Sequence, residues 1–200
     1  MEAEETLSDR LERWLAGEEP KTIGNLIDVF QEKSFAVLFV LLLAIPALPL
    51  PTGGVTHVFE LIAMLLALEL IVGRRTVWLP ERWRQREIGL ETRHRFNQKL
   101  LPRIRWIEEH SMARLGFLLN HRVSGIAYGL VTLVLVVTAF VAPPFTGLDT
   151  LPSLGVVLIS LGVLFEDPLL GIVGLVVGAA GALLVFILGR AAVDTVRGFF

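Results

Sequence analysis

The chain has 200 residues, of which 54% are hydrophobic and 19% charged, and its mean hydropathy is +0.66. Ordinary soluble domains hold roughly 45–50% apolar and about 25% charged residues, so this composition argues against one. The formal net charge of −2 conceals a strong internal asymmetry, and the lack of cysteine excludes disulfides, thiol catalysis and zinc–thiolate sites.

Residues 1–33 are polar and acidic, with four Lys/Arg against nine Asp/Glu. That is the wrong sign for the basic start of a signal peptide, so no cleavable leader is expected there. Leu7, Leu11, Trp14 and Leu15 repeat at helical spacing after a capping candidate, Thr6. Ile23, Leu26, Ile27 and Phe30 repeat again after a break at Gly17 to Pro20. Two short amphipathic helices on a membrane or protein surface are expected.

Residues 34–72 form the first hydrophobic unit. Ser34 to Thr56 carries no charged side chain. The helix starting there meets Pro46, Pro49 and Pro51, followed by Thr52-Gly53-Gly54. Proline removes a donor and clashes with the preceding turn. What precedes Pro46 reaches about 18 Å, short of the roughly 30 Å hydrocarbon core. A second helix over His57 to Val72 returns the chain. The expected shape is a helical hairpin with a Pro/Gly tip, either re-entrant or crossing thin bilayer.

Residues 73–122 are strongly basic, with twelve Lys/Arg and five acids, a balance of 12 − 5 = +7. Tryptophans and aliphatic residues interleave with the arginines. The positive-inside rule makes this segment cytoplasmic, and amphipathic helices on the inner leaflet are expected.

Residues 123–200 form the second membrane unit. Val123 to Phe140 is long enough to span. Ala142-Pro143-Pro144-Phe145-Thr146-Gly147 breaks it. Leu151 to Phe165 is a shorter apolar helix, and Glu166-Asp167-Pro168 interrupts again before a final span from Leu169 to Leu188. Gly174 and Gly178 share a helical row that permits close packing. Asp149 is placed to cap the helix beginning near Leu151.

The two units look related. Each has a helix, a proline-rich tip ending in Thr-Gly, and a return helix. Pro51-Thr52-Gly53 corresponds to Phe145-Thr146-Gly147 at an offset of 94. Paired Pro/Gly-interrupted segments in two halves point to a transport-type site. Duplication without transport leaves the same trace. The fold class expected is all-α membrane protein, with two related halves, each a Pro/Gly-broken helical hairpin, joined by amphipathic interfacial helices.

Several side chains are candidates for chemistry, each with a plainer alternative. His57 and Glu60 lie i, i+3 just after the first tip and can relay a proton, or are simply solvated if the tip sits among headgroups. Glu69 either pairs with Arg74 or Arg75 at the interface or faces the other half as a buried polar group. Arg74 and Arg75 either anchor and orient the helix end or recognise a phosphate, whose geometry an arginine fork matches. Glu166 and Asp167 are either a proton-coupling pair or an interfacial loop before proline. The four histidines have no metal-ligand spacing, and nucleotide fingerprints are absent, so no metal or cofactor is expected. The basic segment suggests nucleic acid only until its flanking spans are considered. Lipid is the simpler partner.

Ile45-Pro46-Ala47-Leu48-Pro49-Leu50-Pro51-Thr52-Gly53 resembles the first tip of ExoD proteins. Gly73-Arg74-Arg75-Thr76-Val77-Trp78-Leu79-Pro80 looks like their glycine–basic–Trp-Leu-Pro element. Leu161 to Asp167 is similar to their second-half Leu-Gly-apolar-acid motif. The resemblance runs from about Leu26 onward. Two departures stand out: Glu69 where the family is expected to carry glutamine, and Pro168 where glycine is expected.

The resemblance implies a non-enzymatic, multi-pass protein of the bacterial inner membrane that serves exopolysaccharide synthesis. Undecaprenyl-phosphate-linked sugars are the lipids of that pathway. The leading expectation is therefore movement or presentation of a polyprenyl-phosphate-linked anionic lipid. Arg74, Arg75, Thr52, Gly53, Thr146 and Gly147 would bind the phosphate, and His57, Glu60, Glu69, Glu166 and Asp167 would couple protons. The alternatives are a proton- or ion-coupled transporter of small solutes and a scaffold for polysaccharide-synthesis enzymes. If both hairpins are re-entrant, the halves associate with each other or with another copy of the chain.

Overall fold

A computed structural model describes residues 7–17, 20–30, 33–48, 55–74, 76–78, 80–87, 102, 105, 122–143 and 146–197. Among these residues the fold is all-helical, and the only strand-like feature is an isolated antiparallel bridge between Thr22 and Glu87. The helices are α1 (Leu7–Ala16), α2 (Ile23–Phe30), α3 (Ser34–Leu43), α4 (Val55–Ile71), α5 (Glu81–Arg84), α6 (Arg122–Val141), α7 (Thr150–Phe165) and α8 (Pro168–Arg197). α3, α6 and α8 fall on uncharged windows, α4 covers the expected return helix, and α8 runs well past the expected Leu188.

α3 ends at Leu43 because Pro46 follows. The chain continues in single turns, with the Ala47 N–H donating to the Leu43 carbonyl at 2.9 Å, and Pro46 itself is buried. The tip proper, residues 49–54, lies outside the described residues. Pro152 sits in the first turn of α7, where its missing N–H has no helical acceptor to lose. Pro168 opens α8, and the Asp167 carboxylate caps that helix by accepting from the Leu169 N–H at 2.8 Å. Asp149 stands at the cap position of α7 but makes no side-chain capping bond, contrary to expectation.

α4 and α6 run antiparallel. His57 stacks near Phe140 at one end, and Gly129 meets Ile71 and Ala67 at the other. α6 and α7 are also antiparallel, joined by the Tyr128 and Ser160 hydroxyls at 2.7 Å. Lys33, just before α3, reaches the end of α7, so α3 runs against α7. α3 therefore packs on α7 and α6 on α4. Phe39, Leu43, Ala63, Ala67, Val136 and Val156 form the core these four helices share.

α7 and α8 approach closely through glycines. A Cβ on Gly174 would sit 2.8 Å from the Gly155 carbonyl oxygen, and one on Gly162 would sit 2.6 Å from the Gly171 nitrogen. Small residues at a helix seam allow this backbone contact in a membrane bundle.

α6 and α8 contain windows, Ser124–Val141 and Pro168–Ala191, long and apolar enough to cross a bilayer. Only 28% and 17% of those windows are buried within the protein. A core helix of a soluble domain would hide most of its apolar surface. These helices present Leu130, Val134, Ile172, Val176, Phe186 and Ile187 outward, as hydrocarbon contact requires.

The amphipathic N-terminal helices rest on protein. Leu11 and Phe30 bury against Leu164, Phe165 and Ala36 at the end of the bundle where α3 begins. The basic segment joins them there: Arg84 of α5 lies 2.8 Å from Asp28, and Arg105 lies 2.6 Å from Glu12. Most of residues 88–121 lie outside the described residues.

Candidate functional site

The expected site residues fall at opposite ends of the bundle. Arg74 follows α4 at the end where α6 begins, and it is exposed. Thr146 and Gly147 follow α6 at its other end. The twenty residues of α6 separate the two groups by about 30 Å. Arg75, Thr52 and Gly53 lie outside the described residues. The Thr146 hydroxyl donates to the Pro143 carbonyl at 2.6 Å, and Gly147 adopts φ +68°, the left-handed region natural to glycine. Both residues shape the second turn.

At that same end the return helix α4 carries His57 and Glu60. Their spacing puts them on one helical face, and His57 Nδ1 lies 3.1 Å from Glu60 Oε2. His57 is 28% exposed and Glu60 is 0% exposed. The approach is close but not aligned as a hydrogen bond, and both Glu60 oxygens lack hydrogen-bond partners among the described residues. Asp149, just before α7, stands at this same end of the bundle. Ser153, one turn further along α7, is buried with its hydroxyl likewise unpartnered among the described residues. A buried carboxyl of α4 and a buried hydroxyl of α7 thus lie toward the same end of the bundle, where α6 ends and α7 begins. Thr132, on α6, is a further buried hydroxyl.

The other acidic candidates do different work. Glu69 Oε2 accepts the Trp78 backbone N–H at 3.0 Å, which ties the Trp-Leu-Pro element back onto α4 after the reversal at Gly73 (φ +92°). Arg74 stays exposed. Glu166 has left-handed backbone geometry, φ 56°, closes α7, and pairs with Lys33 at 2.8 Å. Lys33 also donates to the Leu164 carbonyl at 3.0 Å. Asp167 is the cap of α8. Glu166 and Asp167 therefore stand far from Glu60, at the end where residues 73–122 leave the bundle. Beside them lies a mostly apolar cavity of about 300 Å³ between α6, α7 and α8.

Sequence reasoning missed Lys33, Asp149, Ser153 and Tyr128. Lys33 is the last charge before an uncharged window. Ser153 and Ser160 stand seven residues apart, two turns along one face of an apolar helix, which is a readable signal. Among the described residues no three His, Asp or Glu side chains gather as metal ligands.

The sequence pattern of the family described as "Exopolysaccharide synthesis, ExoD" matches residues 7–187. The chain belongs to the ExoD family. The match starts well before Leu26, so α1 and α2 are part of the ExoD unit. An uncharacterized protein of Synechocystis sp. is 26% identical over 197 residues, covering 97% of this chain and 89% of that relative. No solved structure matches the chain. ExoD membership implies a role in exopolysaccharide synthesis, and the two long apolar helices are consistent with a membrane location.

Proposed function

We propose that this ExoD protein is a transport-type component of exopolysaccharide synthesis, which moves or presents a polyprenyl-phosphate-linked anionic lipid across the inner membrane and uses Glu60 to carry a proton during the step. The observation that carries the reading is Glu60 itself. It is a fully buried carboxyl on α4, 3.1 Å from His57 of its own helix, at the end of the bundle where α7 and Asp149 before it begin. A charged side chain inside a bilayer costs about 2.5–3.5 kcal/mol on insertion scales, and side chains kept at that cost line ion and substrate paths. Gain or loss of one proton there switches the charge at that end of the bundle.

The packing of α3 on α7 and of α6 on α4 supports two related halves around a shared site, an arrangement known from transporters. Exposed Arg74 sits where a phosphate arriving at the basic side would first meet the protein. Thr146 and Gly147 belong to the opposite end of the path. The scaffold reading is weaker, because Arg84 and Arg105 are already engaged by Asp28 and Glu12 of the same chain.

The test is transport by the purified full chain in liposomes carrying labelled undecaprenyl phosphate. Protein-dependent flipping, sensitive to a pH gradient and lost in Glu60→Gln, is expected. Binding should fall in the Arg74→Ala/Arg75→Ala double variant. Proton-linked flux without lipid flipping would move the assignment to small solutes. Lipid binding unaltered by the arginine changes would remove them from the site.

A further inference from the structure

The cavity between α6, α7 and α8 has a consistent chemical character. Ala127 and Val131 of α6, Ile159 and Val163 of α7, and Leu175 of α8 make an apolar wall. Ala127 and Leu175 are exposed at its edges, and both belong to the two membrane-spanning windows. The cavity therefore opens sideways, onto surface that hydrocarbon would cover. Its volume of about 300 Å³ lies at the lower limit of ligand-sized pockets, enough for a chain segment, and its lining is too apolar for a sugar.

One end of the cavity is charged. Glu166 and Asp167 line it, and Lys33 stands 2.8 Å from Glu166. Lys33 and Glu166 are each about one-third exposed, so both can still meet a ligand. Among the described residues, one cation and two anions stand at this mouth, a single net negative charge. A purely anionic headgroup is repelled there. A head holding both phosphate and amine finds Lys33 for its phosphate and the carboxylates for its ammonium.

We infer that this cavity is a binding site for one membrane phospholipid with a zwitterionic phosphoethanolamine head, an acyl chain lying along Val131, Val163 and Leu175 and the head at Lys33, Glu166 and Asp167. The site is separate from Glu60 and binds a different lipid class from the polyprenyl phosphate proposed above, so neither assignment depends on the other.

Gly171 supplies the test. It lines the cavity, and a Cβ built on it meets nothing within 4 Å. Gly171→Leu therefore adds bulk at the cavity wall, in open space and without pressing on the helix seam. Gly189, on the same helix and outside the cavity, is equally open and makes Gly189→Leu the control. The full chain is reconstituted in vesicles of equal phosphatidylethanolamine and phosphatidylglycerol and extracted, and its retained lipid is read by native mass spectrometry. Wild type and Gly189→Leu should each retain phosphatidylethanolamine with severalfold preference, and Gly171→Leu should lose it. If Gly171→Leu melts early, Ala127→Phe blocks the same cavity from an exposed position on α6 and should show the same loss. Glu166→Lys gives the mouth two cations and one anion, and should turn the preference towards phosphatidylglycerol. No retained lipid in the wild type, equal retention in the blocked variants, or a head preference indifferent to Glu166→Lys would each overturn the assignment.

Discussion

Gly155 of α7 and Gly178 of α8 touch backbone to backbone: a Cβ on Gly155 would lie 2.7 Å from the Gly178 nitrogen. No flexible side chain stands between them to yield. Gly155→Ala should therefore force the hairpin apart and destabilise the protein by about 1–3 kcal/mol, the usual cost of overpacking a tight interior. Thermal unfolding in detergent reads this, with Gly189→Ala as the neutral reference. Equal melting of the two variants would show that the seam is loose.

Glu166 combines a left-handed backbone with an ion pair to Lys33. Glycine relieves the first and loses the second. A partly exposed pair contributes about 0–1 kcal/mol, and a non-glycine residue in the left-handed region costs about 1–2 kcal/mol. Glu166→Gly should therefore match or slightly exceed the wild type in melting temperature. Glu166→Val should fall below it, since a β-branched residue is poorly accommodated at positive φ. The reverse order would mean that the Lys33 pair, and not the turn, holds this junction.

Asp167 accepts the Leu169 N–H at 2.8 Å and the Leu170 N–H at 3.4 Å. Asp167→Ala should cost about 0.5–2 kcal/mol, and Asp167→Asn should recover most of the loss because an amide oxygen also caps. Transport should survive Asp167→Asn. If Asn restores stability and transport still fails, the carboxylate has a proton-coupling role beyond the cap.

These contrasts show what the sequence alone makes legible. Uncharged stretches and prolines mark where α3, α6 and α7 lie and where α8 starts, because chain breaks are local physics. The Gly174–Gly178 row is visible as a spacing, but its partners Gly155 and Ile159 on α7 are not. Periodicity tells which face of a helix is apolar or small and is silent about which helix covers it. The same limit hid that Asp149, which reads in sequence as a plain helix cap, shares one end of the bundle with Glu60. Arg74 and Thr146 look like parts of one phosphate site on a linear chain. Twenty residues of intervening helix place them at opposite ends. Lys33 and Glu166 are far apart in sequence, and only the antiparallel packing of α3 on α7 brings them together.

Glu60 separates the functional reading from a structural one most sharply. Glu60→Gln keeps the shape and offers an amide in place of a carboxyl, so it removes the exchangeable charge while leaving the packing of Val136 and Ala63 nearly intact. The folded yield and melting temperature of this variant should stay close to wild type. Its flux should lose dependence on the pH gradient altogether. His57→Gln removes the neighbouring titratable ring, which is partly exposed and 3.1 Å away. It should slow transport without abolishing it, because the buried Glu60 carboxyl itself is unchanged. The decisive comparison is of flux against pH gradient for the three proteins in the same liposomes. A gradient-driven rate that persists in Glu60→Gln would make the buried carboxyl a packing element. Loss in Glu60→Gln with a reduced but gradient-sensitive rate in His57→Gln would order the two residues along one proton path.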